Sequence, residues 1–389
     1  MTARVPAAIV GAGHTRFGGL ADGPRALLKS VVDRARASVD RGLSGGGIDA
    51  VFLATLGFGG WQIGNASAVL AEAAGIVGVP VTRVENACAS GGYALRAAAD
   101  AVGSGRSKLA LVVGLEKMTD VPNARRRYWL GVSGDTEWER LSGLTFAGVY
   151  GLLAARYIAD HPDAREALAE VAVKNHRHGL ANPNAQFRKA ITREAVLAAP
   201  KVADPLGLLD CCPVSDGAAA VVIAPSDEAH RYTDTPVHIV GTGAGSDHLA
   251  VQDRPDPTHF AATRRAADEA FRHAPFDRRS LSLIEVHDCF TIAELIALED
   301  LGFAEPGGAV RLTLDGSTAR TGRWPVNVDG GLKAKGHPIG ATGVSQAYEG
   351  FVQLRAQAEE RQVPGAERAL LHNVGGSGAS ATVTLLARG

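Results

Sequence analysis

Apolar positions along the chain form short continuous runs that alternate with stretches of helical periodicity. Near the start, AAIVGAGHTRFG is typical of a short buried strand that leads into a glycine turn, and VHIVGTGAGSD at Val237 repeats this pattern. A helical stretch follows each one, PRALLKSVVDRARASVDRG in the first case and ATRRAADEAFRHA in the second. Because apolar strands interleave with helices, the pattern predicts sheets that are covered by helices.

The same order of elements occurs twice. Each helix leads to a further strand, IDAVFLATLGFGG from Ile48 and LSLIEVHDCF from Leu281. In a later pair, DGAAAVVIAP at Asp216 and GASATVTLLARG at Gly378, small residues lead into a final strand. The chain is therefore interpreted as an α/β protein that contains two copies of one βα unit.

The first copy is longer than the second, and the excess lies roughly between Lys117 and Pro205. It contains the charged, turn-rich segments MTDVPNARRRYWLGVSGDTEWERL and NHRHGLANPNAQFRKAITREAV, which are typical of an inserted lid or loop domain. We therefore predict three parts: a first half at 1–116 and 205–232, an inserted loop domain at 117–204, and a second half at 233–389.

Composition narrows the classes of function. The chain of 389 residues has 46% hydrophobic and 21% charged residues, so it can bury a large core. Its formal net charge of -1 gives no electrostatic reason to expect nucleic acid or an anionic membrane as the main partner. No apolar run approaches the roughly 20 residues of a membrane span, and the first residues lack the apolar core of a signal peptide. We therefore expect a cytoplasmic protein.

Common ligand-binding motifs do not fit. GAGHTRFG is not GxGxxG, and no acidic residue follows it at the distance that a dinucleotide-binding site requires. His176 and His178 have no third ligand nearby, so no metal site is expected. The four cysteines lack metal-binding spacing and are predicted to be free thiols in a reducing compartment. Cys211 and Cys212 are interpreted as core residues.

Cys88 lies in VENACASGGYALRAAADAVGSG, between an apparent strand and an alanine-rich helix. A cysteine at a helix N-terminus faces the positive end of the helix dipole, which favours the thiolate. On this segment alone, a buried structural cysteine is the default interpretation, because free cysteine is among the most buried residue types.

Two further segments contain candidate catalytic groups. In GGLKAKGHPIGATG, His337 lies between a glycine and a proline and is held on a tight turn. If it lies near Cys88, it can accept the thiol proton; a loop histidine with satisfied hydrogen bonds is the alternative. In EVHDCF, His287 and Cys289 are predicted at the end of a buried strand. Because side chains alternate between the two faces of a strand, these two residues are expected on the same face.

Together with HNVGGSGAS at His372, these segments resemble motifs of the thiolase superfamily over nearly the whole chain. Within it they resemble the sterol-carrier-protein type thiolases and their prokaryotic acetyl-CoA acetyltransferase relatives. ENACASGG is similar to the nucleophilic cysteine motif, HDCF to the subgroup's replacement for Asn-Glu-Ala-Phe, and GHPIGATG to the histidine motif. The resemblance implies a thiolase fold, with two duplicated βαβαβαββ halves in a layered α-β-α-β-α core and a loop domain inserted into the first half.

The resemblance also implies a role for each candidate residue. Cys88 would attack an acyl-CoA thioester to form an acyl-enzyme, and His337 would accept its proton. Cys289 would remove the α-proton of the second acyl-CoA in condensation, or return it in thiolysis. A water held by His287, together with His337, would form one oxyanion hole, and the backbone N–H groups of Cys88 and Gly375 would form the other.

One departure from many thiolases bears on the second thiol. Where they have a Cys-x-Gly motif near the C-terminus, this chain has Asn373, Val374 and Gly375, and Cys289 fills the gap in the sterol-carrier type. The expected function is that of an acyl-CoA C-acyltransferase, by reversible Claisen condensation or thiolysis of a 3-ketoacyl-CoA. Two alternatives stay open: a thiolase-like carbon–carbon lyase or acyltransferase for steroid or specialised-metabolite acyl-CoA, and a non-catalytic acyl-CoA or lipid binding protein.

Expectations about ligands and partners also follow from the resemblance. It implies coenzyme A thioesters as substrates, with no tightly bound cofactor and no metal. It implies a homodimer or homotetramer and, as in some prokaryotic members of the branch, a small zinc-binding OB-fold companion protein. The acyl chain length, the direction of flux and the pathway are not indicated by the sequence.

Overall fold

The computed structural model describes residues 7–43 and 47–389. Residues 1–6 and 44–46, which belong to the predicted first half, lie outside this part. Within the described ranges the strands and helices follow in the order β1 (Ala7–His14), α1 (Pro24–Ala37), β2 (Ala50–Ala54), α2 (Ala66–Ala73), β3 (Val81–Val84), α3 (Ser90–Gly103), β4 (Ala110–Glu116), α4 (Asn123–Gly131), α5 (Phe146–Asp160), α6 (Ala164–Gly179), α7 (Arg193–Leu197), β5 (Lys201–Ala203), β6 (Leu206–Gly207), β7 (Gly217–Pro225), β8 (Val237–Ser246), α8 (Ala261–Arg272), β9 (Leu283–Glu285), α9 (Thr291–Asp300), α10 (Gly308–Leu314), α11 (Gly331–Ala334), α12 (Thr342–Leu354), β10 (Arg368–Gly375) and β11 (Ser380–Arg388).

The sheet topology confirms the internal duplication. Nine strands are joined in the order β3-β2-β4-β7-β1-β8-β11-β10-β9. Outward from the centre, β1, β7, β4 and β2 of the first half correspond to β8, β11, β10 and β9 of the second. The directions correspond as well, because the two inner pairings in each half are antiparallel and the outer one is parallel. The halves meet where Ala7–Ile9 pairs with Val237–Ile239.

Helices α3 and α12 form the middle of five layers. Leu95 of α3 and Phe351 of α12 share one hydrophobic cluster with Val112 of β4 and Leu371 of β10, so both halves pack against this layer. Helices α1 and α2 cover the outer face of the first half. Helices α8 and α9 cover the outer face of the second. The predicted α-β-α-β-α layering is therefore confirmed, with a core that the sheet faces and helices bury from both sides.

Glycines bring the first turns of α3 and α12 into contact. A Cβ on Gly91 would lie 2.8 Å from the backbone of Gly343, and a Cβ on Gly343 would lie 2.4 Å from the amide nitrogen of Gly92. Glycine therefore permits an approach that any side chain would prevent. Because Cys88 precedes α3 and His337 precedes α12, this contact brings the two candidate catalytic residues together.

The segment between β4 and β7 contains α4 to α7 and the short β5–β6 pair. Tyr150 and Leu153 of α5 and Leu168 of α6 share a hydrophobic cluster with Leu295 of α9. The segment thus extends from the first half but packs against the second. Its predicted limits as a separate domain, 117–204, stay a prediction. In the described residues, no helix combines the length and the apolar character that crossing a membrane requires.

Candidate active site

Cys88 lies in a strained turn between β3 and α3. The preceding residue, Ala87, has φ of +48°, a conformation that costs a non-glycine residue about 1–2 kcal/mol. The pKa of the Cys88 thiol is raised to about 12, chiefly by burial and further by the charge of Glu116. Hydrogen bonds from the N–H groups of Gly376 and of Cys88 itself act in the opposite direction and lower the pKa. Backbone N–H groups thus favour the thiolate at this position, but the cost of burial exceeds their contribution.

His337 is held in one orientation by its own loop. It follows Gly336, whose φ of +116° permits the turn, and its N–H donates to Ser215 Oγ at 2.9 Å. Its Nδ1 lies 2.7 Å from Thr342 Oγ1, which donates its hydrogen to Pro338 O at 3.0 Å. Nδ1 must therefore carry the proton, and Nε2 is free to accept one. Burial lowers the pKa of His337 to about 3, and Lys335 lowers it further, so the ring is neutral at neutral pH.

His287 has the opposite arrangement of ring hydrogens. Asn373 Nδ2 lies 3.1 Å from His287 Nδ1 and donates to it, and also donates to Cys88 O at 2.9 Å. Asn373 Oδ1 accepts from Gly92 N at 3.0 Å, which fixes the orientation of the amide. Because Nδ1 accepts, Nε2 of His287 carries the hydrogen and can donate. Burial lowers the pKa of His287 well below its usual value, with His337 as the next cause, so this ring is also neutral.

The two histidines and Cys88 lie close together. The rings of His287 and His337 are nearly perpendicular, at 87°, with centroids 5.0 Å apart. Cys88 Sγ and one nitrogen of each ring lie within 4.8 Å of one another. This set contains a thiol, a proton acceptor and a hydrogen-bond donor, which are the groups that covalent catalysis through a thioester needs.

Cys289 faces the same cavity as Cys88 and His337, which has a volume of about 170 Å³. Burial raises the pKa of the Cys289 thiol, whereas a hydrogen bond from the Tyr150 hydroxyl lowers it. The other residues that line the cavity are mostly apolar or small: Met118, Leu130, Ser133, Phe146, Tyr150, Cys212, Pro213, Val214, Phe290, Ile339 and Gly376. The cavity is therefore mostly apolar, and the thiols of Cys88 and Cys289 and the imidazole of His337 are among the groups that line it.

The position of HDCF differs in one respect from the expectation. Strand β9 ends at Glu285, so His287 and Cys289 lie in the connection to α9 and not in a strand. Alternation along a strand therefore does not explain why both reach the site. Asp288 between them accepts hydrogen bonds from Leu332 N at 2.7 Å and Lys333 N at 3.2 Å, and thereby ties this connection to the segment that leads to His337.

Several residues of the site were not singled out by the sequence. Cys211 and Cys212 do pack against the core, but Cys212 also lines the cavity, and its N–H donates to Cys289 O at 3.0 Å. Glu116, a carboxylate directly at the end of an apolar strand, accepts from Gly340 N at 3.1 Å and also from three groups of the 55–59 loop. A charged residue at the end of an apolar strand is a sequence signal that could have identified Glu116 as a hydrogen-bond partner of the loop that contains His337.

Gly375, the expected backbone donor, ends β10, and a Cβ at this position would lie 2.3 Å from Asn86 O. The next residue, Gly376, lines the cavity and hydrogen-bonds the Cys88 sulfur through its N–H. The role of Gly375 in an oxyanion hole stays a prediction.

Comparison with known proteins agrees with this fold and site. The family description "Thiolase, N-terminal domain" matches residues 7–227, and "Thiolase C-terminal domain-like" matches residues 243–388. The chain is 43% identical over 384 residues to an acetyl-CoA acetyltransferase of Methanothermobacter thermautotrophicus, covering 98% of this chain and 99% of the relative. It is 32% identical to sterol carrier protein 2 of Gallus gallus, covering 98% of this chain and 71% of the relative.

A solved structure described as "Ltp2-ChsH2(DUF35) aldolase" has the same fold, with a TM-score of 0.85 at 23% identity, covering 99% of this chain and 98% of that chain. The chain belongs to the thiolase superfamily. Within the superfamily it belongs to the branch that contains the sterol-carrier-protein type thiolases and archaeal acetyl-CoA acetyltransferases. The expectation of an acyl-CoA C-acyltransferase of the thiolase type is confirmed.

Proposed function

We propose that the protein transfers acyl groups between coenzyme A thioesters through an acyl-enzyme on Cys88, in reversible condensation or thiolysis of a 3-ketoacyl-CoA. The observation that supports this proposal is the meeting of Cys88, Cys289 and a neutral His337 in one apolar cavity. Two thiols and an unprotonated imidazole nitrogen supply a nucleophile, an acid/base group and a base, which a binding protein does not need.

In the first step, His337 Nε2 takes the proton from Cys88 as the sulfur attacks the acyl carbonyl, which is the thioester carbonyl in condensation and the 3-keto carbonyl in thiolysis. Because the thiol has a raised pKa and the imidazole a lowered pKa, the ion pair is not populated at rest, and proton transfer accompanies attack. The tetrahedral intermediate places negative charge on the former carbonyl oxygen, for which the N–H groups of Cys88 and Gly375 are the proposed donors. Loss of one such donor typically costs about 3 kcal/mol in the barrier.

In the second step, Cys289 transfers the α-proton. In thiolysis the carbon–carbon bond breaks, the enolate carbon takes the hydrogen from the Cys289 thiol, and a thiolate remains. This thiolate takes the proton of the incoming coenzyme A, whose sulfur attacks the acyl group on Cys88. The bond from the acyl carbon to Cys88 then breaks, and the released sulfur takes back the proton that His337 holds. His337, together with a water held by His287, is the proposed oxyanion hole for the enolate, which agrees with the donor character of His287 Nε2.

The test is intact and peptide mass spectrometry after incubation with acetyl-CoA, acetoacetyl-CoA or a longer 3-ketoacyl-CoA, with Cys88→Ser as control. We expect an acyl adduct on the Cys88 peptide that is absent in the control, and the thioester that labels fastest would define the acyl chain length. If no thioester gives an adduct while coenzyme A still binds, the acyl-enzyme is excluded and a non-catalytic acyl-CoA binding protein is favoured.

We further propose a homo-oligomer and, as a companion, a small zinc-binding OB-fold protein. Strand β3 forms an edge of the sheet, and Trp61 and Ile63 nearby are 55% and 60% exposed, which supports a contact between copies of the chain. The structural neighbour "Ltp2-ChsH2(DUF35) aldolase" contains a DUF35 protein by its description, which supports the proposal of a companion protein. Light scattering with and without the co-expressed companion tests both proposals. The cytoplasmic location stays a prediction.

A further inference from the structure

Tyr150 of α5 is fixed beside Cys289 by aromatic packing. Its ring stacks on Phe290, the residue after Cys289, with centroids 4.5 Å apart and an interplanar angle of 22°. Phe260 packs edge-on against it, with centroids 6.5 Å apart and an angle of 89°. Tyr150 is 1% exposed and lines the same cavity as Cys289 and Cys88. Since the ring is buried, stacked on one aromatic side chain and packed edge-on against another, its orientation at the cavity wall is fixed.

The Tyr150 hydroxyl has two neighbours that could accept its hydrogen. Gly376 O lies at 3.5 Å, the long limit of an oxygen–oxygen hydrogen bond, so it competes only weakly. The other neighbour is the Cys289 sulfur, to which the hydroxyl hydrogen-bonds. Burial raises the pKa of Tyr150 well above its usual value, so the phenol keeps its hydrogen at neutral pH. Tyr150 is therefore a permanent donor at this sulfur.

Apart from the backbone N–H of Phe290, the other groups around Cys289 act in the opposite direction. Burial in the apolar cavity is the largest cause of its raised pKa, and the neighbouring Cys88 and Asp288 raise it further. Cys212 lines the cavity beside it and interacts with it electrostatically. The Tyr150 hydroxyl is thus the side-chain donor that offsets part of this cost for a thiolate at Cys289, beside the backbone N–H of Phe290.

We propose that Tyr150 is a positioning residue for the proton transfer of this enzyme, whose hydroxyl donates to the Cys289 sulfur and stabilises the thiolate. The inference rests on the proposed role of Cys289 as the acid/base group. In thiolysis the S–H bond of Cys289 breaks and a C–H bond forms at the enolate carbon, so negative charge moves from the enolate to the sulfur. The hydrogen bond from Tyr150 becomes charge-assisted at that moment, and such bonds are about twice as strong as neutral ones.

The direct test is the alkylation rate of Cys289 by iodoacetamide between pH 7 and 9, followed on its own peptide by mass spectrometry in a Cys88→Ser background. Because only the thiolate reacts, the rate at each pH reports the thiolate fraction. We expect Tyr150→Phe to lower this rate by about 10- to 100-fold, as for loss of a hydrogen bond to a charged group. Tyr157→Phe is the matched control, since Tyr157 lies on the same helix, is buried, and bonds Glu299 away from the cavity. Its Cys289 rate should equal that of the parent.

Turnover separates this proposal from the proposed function. With Cys88 restored, Tyr150→Phe should slow thiolysis of acetoacetyl-CoA by a similar factor of about 10 to 100, while acylation of Cys88 by acetyl-CoA changes little. If Cys289→Ala thiolyses at the parent rate, the acid/base assignment itself fails. If Cys289→Ala is inactive but Tyr150→Phe leaves the alkylation and thiolysis rates unchanged, only the inference about Tyr150 fails.

A second replacement covers the case in which Tyr150→Phe does not fold. Site-specific 3-fluorotyrosine at position 150 keeps the shape of the ring and makes the phenol a more acidic donor. We expect it to raise the Cys289 alkylation rate above that of the parent, and an unchanged or lower rate would overturn the proposal.

Discussion

At the residue scale, Thr342 determines which nitrogen of His337 can act as a base. Its hydroxyl donates to Pro338 O and accepts from His337 Nδ1, which leaves Nε2 without a hydrogen. Thr342→Val removes this acceptor and would leave a buried Nδ1–H without a partner, so the tautomer with hydrogen on Nε2 becomes the favoured one. We expect acylation of Cys88 by acetyl-CoA, measured in a single turnover by mass spectrometry, to slow by about 10- to 100-fold.

Thr342→Ser is the control for this prediction, because it keeps the hydroxyl and changes the packing by one methyl group. Its acylation rate should stay within about 3-fold of the parent rate. Equal rates for the valine and serine variants would show that the hydroxyl does not control the base.

The candidate catalytic residues could be identified because they lie in short motifs, whereas their supporting contacts join distant positions. Cys88, His337 and Cys289 each lie in a motif of a few residues. The hydrogen bond from Asn373 to Cys88 O spans 285 positions, and no local pattern indicates it. Tyr150 belongs to an ordinary amphipathic helix, and only the packing of α5 against α9 brings it to Cys289. The sequence therefore revealed the reacting groups but not the residues that orient them.

At the scale of elements, the contact between α3 and α12 holds Cys88 and His337 at a fixed separation. Gly91 lies at this contact, and its Cβ in an alanine variant would meet the backbone of Gly343 at 2.8 Å. Backbone cannot move aside as a flexible side chain can, so the two helix starts must separate. We expect Gly91→Ala to lower kcat for thiolysis by about 100-fold, as for a displacement of about 1 Å between reacting groups.

Gly350→Ala on α12 is the matched control. Its Cβ would meet the Cδ1 of Leu386 at 2.7 Å, a side chain that can rotate, and the position lies two turns further along the helix from the site. Both variants should have a lower melting temperature than the parent, but only Gly91→Ala should lose activity at 25 °C. If the losses of activity follow the losses of melting temperature in both, the contact acts through stability and not through the geometry of the site.

The elements themselves were predictable where their pattern is strong. Strands β1 and β8, and likewise β7 and β11, are continuous apolar or small-residue runs whose repetition identified the duplication. The connection after β9 was not predictable, because EVHDCF has the alternation that is typical of a strand. In the structure, the Asp288 carboxylate accepts hydrogen bonds from the backbone of residues 332–333. These tertiary hydrogen bonds of Asp288 thus accompany the end of β9 at a point where the local sequence pattern predicts that the strand continues.

At the scale of the whole molecule, the fold buries many ionisable groups that pair with one another. Lys174 pairs with Glu294 at 2.5 Å, and Arg361 pairs with Glu349 at 3.0 Å, and all four side chains are nearly inaccessible. Removal of one partner from such a pair typically costs about 3–5 kcal/mol, because an uncompensated buried charge remains. The interior around the site is therefore specified by polar pairing as well as by apolar packing.

Buried neutral histidines make the stability of the fold depend on pH. Burial lowers the pKa of five of them to about 3 or 4 and that of His287 well below its usual value; the five are His14, His176, His178, His337 and His372. In the unfolded chain a histidine has a pKa of about 6.5. Below that pH the unfolded chain takes up protons that the fold excludes, so each histidine lowers the free energy of unfolding by about 1.4 kcal/mol per pH unit.

Buried carboxyl groups act in the opposite sense. Burial raises the pKa of Glu116 and Asp288 to about 7, and raises that of Glu285 well above its usual value. Each contributes stability that is fully present below its unfolded pKa and is lost as the pH rises through its folded pKa. Between about pH 4.5 and 6.5 these groups, together with Glu299 and Glu349, whose pKa burial also raises, offset part of the histidine effect. The histidines have the larger shifts in pKa, so their effect prevails.

We therefore expect the melting temperature to be highest near pH 6.5 to 7 and to fall continuously as the pH is lowered to about 4.5. Above pH 7 it should decline more gently, as Glu116 and Asp288 ionise inside the fold. Differential scanning calorimetry across this range, at constant ionic strength, checks the sign. If the melting temperature is constant or rises as the pH is lowered from 6.5 to 4.5, the histidines are not buried as neutral rings. That result would also contradict the proposal that His337 acts as a neutral base.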